Sequence, residues 1–236
     1  MQVQVISSVN EACSAKLYHK TAIIVDVLRA SSTIVAALAA GAAGVIPVET
    51  VMDARAAHQP GDLLGGERFG RKIPGFDLGN SPEEYNIETV CNRRILLTTT
   101  NGTRAIQKSM RADHVLTGSL LNASACAKAA YELRRDIVIL CAGSNDEFAV
   151  EDGICAGLLL ERLRTLSTAP LELDDFGVAM LALYNDRSQH IAQTLQIGTA
   201  GKRLAKLGYK RDVEWCAEID RYSEVPILRG DTLICC

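Results

Sequence analysis

Short apolar runs alternate along the chain with Ala-rich stretches of helical character. Ala22 to Val27 precedes Ser31 to Ala40, Gly44 to Val48 precedes Val51 to His58, and Ile95 to Leu97 precedes Gly102 to Met110. Val115-Leu116 before Ala123 to Leu133, and Ile137 to Cys141 before Val150 to Leu163, continue the series. Such βα alternation predicts an α/β fold: a mostly parallel sheet flanked by helices in three α/β/α layers, with ligands bound outside the carboxyl ends of the strands. After Leu166 the pattern weakens. Asp174 to Leu207 reads as helices broken near Asn185-Asp186 and Gly198, and strands return at Pro226 to Leu228 and Thr232 to Cys235. With no low-complexity linker or internal repeat, residues 1–236 are treated as one α/β domain in which no internal boundary can be assigned.

The ends of the predicted strands carry the chemistry. Asp26 to Thr33, Thr98 to Thr103, Thr117-Gly118-Ser119 and Ala142 to Asp146 are each rich in hydroxyls, glycine or acids. Ser, Thr, Asn and Asp are ordinary helix caps, which accounts for part of this composition. Capping does not explain its concentration at successive strand ends. Thr98-Thr99-Thr100-Asn101-Gly102-Thr103-Arg104 is the sharpest case, because hydroxyls, freed backbone N–H groups and a following helix start all suit a bound anion.

Asp26 follows the strand Ile23-Ile24-Val25, with Arg29 and Ser31-Ser32-Thr33 in the turn behind it. A carboxylate at a strand end suits Mg²⁺, and the arginine and hydroxyls suit an anion. Haloacid-dehalogenase phosphatases place a second Asp two residues after a nucleophilic one; Leu28 stands there in this chain, so metal ligation ranks above nucleophilic attack, with a structural cap as the remaining reading. The segment from Gly65 to Pro82 is too Gly-rich for a helix and too elaborate for a passive connector. Within it, Glu67 and Asp77 are candidates to complete a metal site with Asp26. Arg68, Asn80 and Ser81 are candidates for substrate binding, the alternative being surface charge on a loop. The pair Glu151-Asp152 opens a helix after the Gly143 to Phe148 loop, either favouring the helix dipole or holding a metal or water. None of His19, His58, His114 and His190 falls in these loops, which disfavours zinc or phosphohistidine chemistry.

Composition narrows the partner. A hydrophobic content of 48% supports a substantial core, and 25 Lys+Arg against 28 Asp+Glu lacks the basic surplus of a nucleic-acid or membrane-surface binder. Aromatics at 5% leave few stacking platforms for bases. The expected partner is a small molecule, anionic by the strand-end groups above, with no nucleic acid and no membrane, and homo-oligomerisation is left open. No signal-like or membrane-spanning run is visible, so a cytoplasmic address with eight reduced cysteines is expected. Cys126, Cys141 and Cys155 lie among Ala, Ile and Leu as small buried hydrophobes.

The ordered motifs Val25 to Ile34, Gly66-Glu67-Arg68, Gly75 to Pro82, Thr98 to Thr103, Cys141-Ala142-Gly143 and Glu151-Asp152 with Cys155-Ala156-Gly157 together resemble the 2-phosphosulfolactate phosphatase family. The resemblance implies a Mg²⁺-dependent phosphatase converting 2-phospho-3-sulfolactate to 3-sulfolactate and phosphate, a step of coenzyme M biosynthesis, or acting on another phosphoester of a 2-hydroxy acid. A substrate bearing phosphate, carboxylate and sulfonate needs several cations and donors. Arg29, Arg68 and Arg104 are the expected anion clamps, assisted by Ser31, Ser32, Asn80, Ser81 and Thr98 to Thr103. Asp26, Glu67 and Asp77, with Glu151 and Asp152, are the expected catalytic and Mg²⁺-binding acids. Direct metal-assisted attack by water is favoured over a phospho-Asp26 intermediate. A non-catalytic phosphometabolite sensor would use the same hydroxyl loops without converging acids, and a phosphotransferase would need a nucleotide loop that the chain lacks.

Overall fold

The computed structural model describes residues 1–145 and 147–236; Asp146, part of the expected strand-end series, lies outside the described residues. In chain order the strands are β1 (Gln2–Ile6), β2 (Thr21–Val25), β3 (Gly44–Pro47), β4 (Leu63–Arg68), β5 (Arg71–Lys72) and β6 (Arg94–Thr98). They continue with β7 (His114–Gly118), β8 (Ile137–Cys141), β9 (Glu172–Leu173), β10 (Pro226–Arg229) and β11 (Thr232–Cys235). Among the described residues they form one sheet in the order β5-β4-β6-β3-β11-β10-β7-β2-β8-β1-β9.

Two runs of parallel strands are joined by an antiparallel hairpin. Strands β9, β1, β8, β2 and β7 pair in parallel, as do β3, β6 and β4, while β10 pairs with β7 and β11 with β3 in the antiparallel sense. Through the ladder the two runs therefore point in opposite directions. Sheet twist of roughly 20–25° per strand, over the five steps from β2 to β6, accumulates to about 100–125° and swings the carboxyl end of β6 toward that of β2. The helix Gly102–Lys108, which follows β6, touches both β2 and β3, and a Cβ on Gly102 would lie 2.7 Å from Asp26 Oδ2 at the end of β2.

Side-chain alternation explains the layers. Ile23 and Val25 of β2 face a core shared with the helices Ala123–Glu132 and Val150–Leu166. Ala22 and Ile24 face the other way, joining Ile34, Ile106, Val45, Ile95 and Leu97 in a second core. That second core is filled by the helices Ala30–Ala39 and Gly102–Lys108. Leu64 and Leu96 meet Ala54, Ile73 and Phe76 on the outer face of the smaller run. Strands covered on both faces read as continuous apolar runs, which is why β2 and β8 were visible in the sequence.

Several boundaries differ from expectation for identifiable reasons. The apolar run to Val27 stops being a strand at Val25, because the amide of Asp26 donates to Ser31 Oγ and that of Val27 to Asp152 Oδ1. The start of the Gly65 to Pro82 segment is not a loop but strand β4, pairing Gly65 with Leu97 and Gly66 with Thr98. Gly66 has φ +143, and a Cβ there would collide with the Thr98 carbonyl, so only glycine permits this pairing. Phe69 and Gly70, both at positive φ, then turn the chain tightly into β5. The expected helix breaks are found: Asp175–Arg187 ends one residue past Asn185-Asp186, and Gly198 separates Ile191–Ile197 from Thr199–Lys206. A further helix, Lys210–Cys216, follows. Strands β1 and β9 and the helix Lys210–Cys216 lay outside the predicted elements. Among the described residues no helix is long and apolar enough to cross a membrane. All eight cysteines are free thiols, and Cys126, Cys141, Cys155 and Cys216 are buried.

Candidate active site

The turn after β2 is held by its own hydroxyls. Ser31 Oγ donates to the Asp26 carbonyl at 2.8 Å, Ser32 Oγ to the Val27 carbonyl at 2.8 Å, and Thr33 Oγ1 to the Asn80 carbonyl at 3.0 Å. These bonds leave the Asp26 carboxylate facing a cavity, with the Ala30 amide donating to Oδ1 at 3.2 Å. No hydrogen bond to Oδ2 is formed among the described residues.

Three further acids line the same cavity. Glu67, on β4, accepts from the Gly70 amide at 2.7 Å and from the amide and hydroxyl of Thr100 at 2.8 and 2.7 Å. Asp152 accepts from the amides of Val27 at 2.8 Å and Gly143 at 3.0 Å, tying the ends of β2 and β8 together. Glu151 is buried beside it on the first turn of Val150–Leu166. The threonine loop lines the cavity beside Glu67. Thr99 and Thr103 exchange hydroxyl and backbone bonds, and Asn101 Nδ2 donates to the Gly143 carbonyl at 3.0 Å.

Negative charge is concentrated in a desolvated place. Burial pushes the Asp26 carboxyl up to about 7; the Ala30 amide opposes the rise, while the charges of Glu67 and Glu151 add to it. Burial also raises Glu151, moderated by its own amide and by Arg203. Asp152 stands well above the ordinary carboxylate range through burial and then the charges of Asp26 and Glu151, despite its two amide donors. Buried carboxylates crowded in this way call for a counter-ion.

The cations are distributed unevenly. Arg29 is buried, with Nη1 2.5 Å from Asp212 Oδ2, Nη2 donating to the Gly70 carbonyl at 3.0 Å, and its plane 4.3 Å over the Tyr209 ring. Arg203, on the helix Thr199–Lys206, lines the cavity directly, and its Nε is buried without a hydrogen-bond partner.

Sequence comparison agrees with this geometry. The sequence model of the family described as 2-phosphosulpholactate phosphatase matches residues 7–231. The chain belongs to that family. A probable 2-phosphosulfolactate phosphatase of Caldanaerobacter subterraneus subsp. tengcongensis is 39% identical over 234 residues, 98% of this chain and 96% of the relative. Probable 2-phosphosulfolactate phosphatases of Thermotoga maritima, 39% identical over 91% of this chain and 92% of the relative, and of Clostridium acetobutylicum, 38% identical over 96% and 97%, are similarly close. The chain is therefore an enzyme of the phosphatase class, over nearly its whole length.

Within this 2-phosphosulpholactate phosphatase family member, the structure brings together Asp26, Arg29, Glu67, Asn80, Thr99, Thr100, Asn101, Glu151 and Asp152 around the cavity. Asn80 presents a buried Oδ1 without a partner. Gly102 and Thr103 lie just behind the wall, Gly102 against Asp26 and Thr103 as a bond partner of Thr99. Asp77 does not join them: it is exposed, and its Oδ2 accepts from the Leu64 amide at 2.8 Å, which shapes the loop instead. Arg68 turns away to the Glu49 and Glu67 carbonyls, and Arg104 reaches Asn10 Oδ1 at 2.6 Å. Ser31, Ser32 and Ser81 are buried and committed to protein groups, Ser81 to Asp212 at 2.8 Å, and Thr98 is buried beneath the wall. Sequence reasoning missed Arg203 and Asp212. Both lie in the weakly patterned C-terminal third, and no local spacing links either of them to Asp26.

Proposed function

We propose that the chain hydrolyses 2-phospho-3-sulfolactate to 3-sulfolactate and phosphate with Mg²⁺ as cofactor. The observation that carries this reading is the opening of Asp26 and Glu151 into one cavity with Arg203, walled by the Thr99 to Asn101 loop and Gly143. Glu67 and Asp152 have their oxygens occupied by backbone and hydroxyl donors, so Asp26 and Glu151 are the residues that would hold the ion. Among the described residues no three His, Cys, Asp or Glu side chains form a ready metal cage. That fits Mg²⁺, which usually takes one or two carboxylates and completes its shell with water and substrate phosphate. When bound, it would offset charge on the phosphoryl oxygens.

The chain's own groups supply the rest. The Thr99 hydroxyl, which accepts from the Thr103 amide and keeps its own hydrogen, can donate to the phosphate from the cavity wall, Asn80 offers a further polar contact, and the buried acids order water beside phosphorus. Attack by water forms the new P–O bond and breaks the one to the 2-hydroxy acid, and the proton that the water gives up passes to the departing oxygen, which leaves as the alcohol. The uncommitted Oδ2 of Asp26 favours one second reading, a phospho-Asp26 intermediate, which trapping of labelled phosphate on the protein detects.

Phosphate release from a panel of phosphorylated 2-hydroxy acids tests the proposal. Activity is expected on 2-phospho-3-sulfolactate, lost with EDTA and restored by Mg²⁺. Full activity in metal-free protein removes the metal role. Tight binding of every ester without turnover turns the reading into that of a sensor.

A further inference from the structure

The expected substrate carries acid groups that do not react, and the arginines named from the sequence already bond protein groups. Arg29 is held by Asp212, Gly70 and Tyr209, and Arg68 is turned to backbone carbonyls away from the cavity. Arg203 differs. It lines the cavity that contains Asp26, and its Nε is buried with no partner. Helix side chains lean toward the helix N-terminus. Here that end, Gly198 and Thr199, borders an adjoining hollow also lined by Ser144 and Glu151.

Ser144 lines both hollows, and its Oγ is likewise buried without a partner. Two unmatched buried donors on the walls of one cavity are unusual, since such groups are nearly always paired. A single oxyanion between them would satisfy both. The acids Asp26, Glu67 and Asp152 repel a second anion; Glu151 also lines both hollows and its charge faces Arg203, yet the Arg203 Nε stays unmatched and open to an incoming acid group. An arginine fork suits carboxylate and sulfonate oxygens alike.

We propose that Arg203 and Ser144 form the subsite for the non-reacting acid group of the substrate, a carboxylate or a sulfonate. The assignment of which acid reacts rests on the phosphatase reading above; the existence of the subsite does not.

The test compares wild type, Arg203→Met and Ser144→Ala on 2-phospho-3-sulfolactate, 2-phospholactate and p-nitrophenyl phosphate, which bears no second acid. Arg203→Met is expected to lower kcat/KM on the acid-bearing esters roughly 10- to 100-fold more than on p-nitrophenyl phosphate, chiefly through KM, the range for losing a hydrogen bond to a charged group. Ser144→Ala moves the same way by less, and Lys206→Met, exposed on the same helix, behaves as wild type. A loss confined to the sulfonated ester identifies a sulfonate site, and equal losses on both acid-bearing esters identify a carboxylate site. Calorimetric binding of 3-sulfolactate gives a readout independent of turnover and is expected to weaken by a similar factor in Arg203→Met. Equal losses on all three esters, or 3-sulfolactate binding that is absent in wild type or unchanged in the variant, overturn the subsite. If wild type hydrolyses none of the esters yet its 3-sulfolactate binding depends on Arg203, the phosphatase reading fails and the subsite stands.

Discussion

Gly102→Ala places a methyl group where the two runs of the sheet converge on the active site. An ideal Cβ at Gly102 lies 2.7 Å from Asp26 Oδ2 and closer still to Ala30 Cβ. Non-bonded carbons settle at about 3.5–4.0 Å, so the helix Gly102–Lys108 must retreat from the turn after β2 by roughly 1 Å. Overpacking of this kind costs about 1–3 kcal/mol. Replacing glycine in a helix returns up to ~1 kcal/mol. With the full return the net loss is about 0–2 kcal/mol, or at most roughly 8 °C in Tm for a chain of this size. Catalysis should suffer far more, because displacing a reacting group by about 1 Å costs on the order of 100-fold. Thermal melting beside phosphate release at saturating substrate separates the two effects. A fall in Tm with kcat unchanged would show that Asp26 Oδ2 is not at the reacting centre. No change in either would refute the close approach itself.

Asp26→Asn is nearly isosteric and should lower turnover at least ~100-fold with little change in Tm. Asp77→Asn, outside the cavity and still able to accept from the Leu64 amide, should retain wild-type turnover; comparable losses in the two variants would return Asp77 to the site. Asp212→Asn removes the counter-charge of Arg29, whose side chain is 2% exposed. Breaking a buried pair of this kind should cost about 3 kcal/mol, some 6–12 °C in Tm, and an unchanged melting curve would show that the pair contributes nothing to stability.

Strands β2, β3, β6, β7 and β8 and the helices after them are legible because burial on both faces writes itself as apolar runs, which need only neighbouring residues to be seen. The strand-end positions of Asp26, Thr99 to Asn101 and Glu151-Asp152 followed from the same runs. Glu67 and Asp77, by contrast, look alike in sequence: both are acids in a Gly-rich segment. Pairing of β4 with β6 decides between them, since Gly66 lets the chain run close beside Thr98 and turns Glu67 toward Thr100, while Asp77 closes a loop over Leu64. The arginines divide in the same way. Arg29, Arg68 and Arg104 stand beside the candidate acids and hydroxyls along the chain, yet the cation with an unmatched Nε on the cavity wall is Arg203, and the partner of Arg29 is Asp212, 183 residues away. The β10–β11 hairpin was visible as two strands, but not its place between two oppositely directed parallel runs. Local hydrogen bonding and burial act over a few residues and leave a periodic trace. Which strand ends meet depends on strand order and accumulated twist, and these are properties of the assembled sheet.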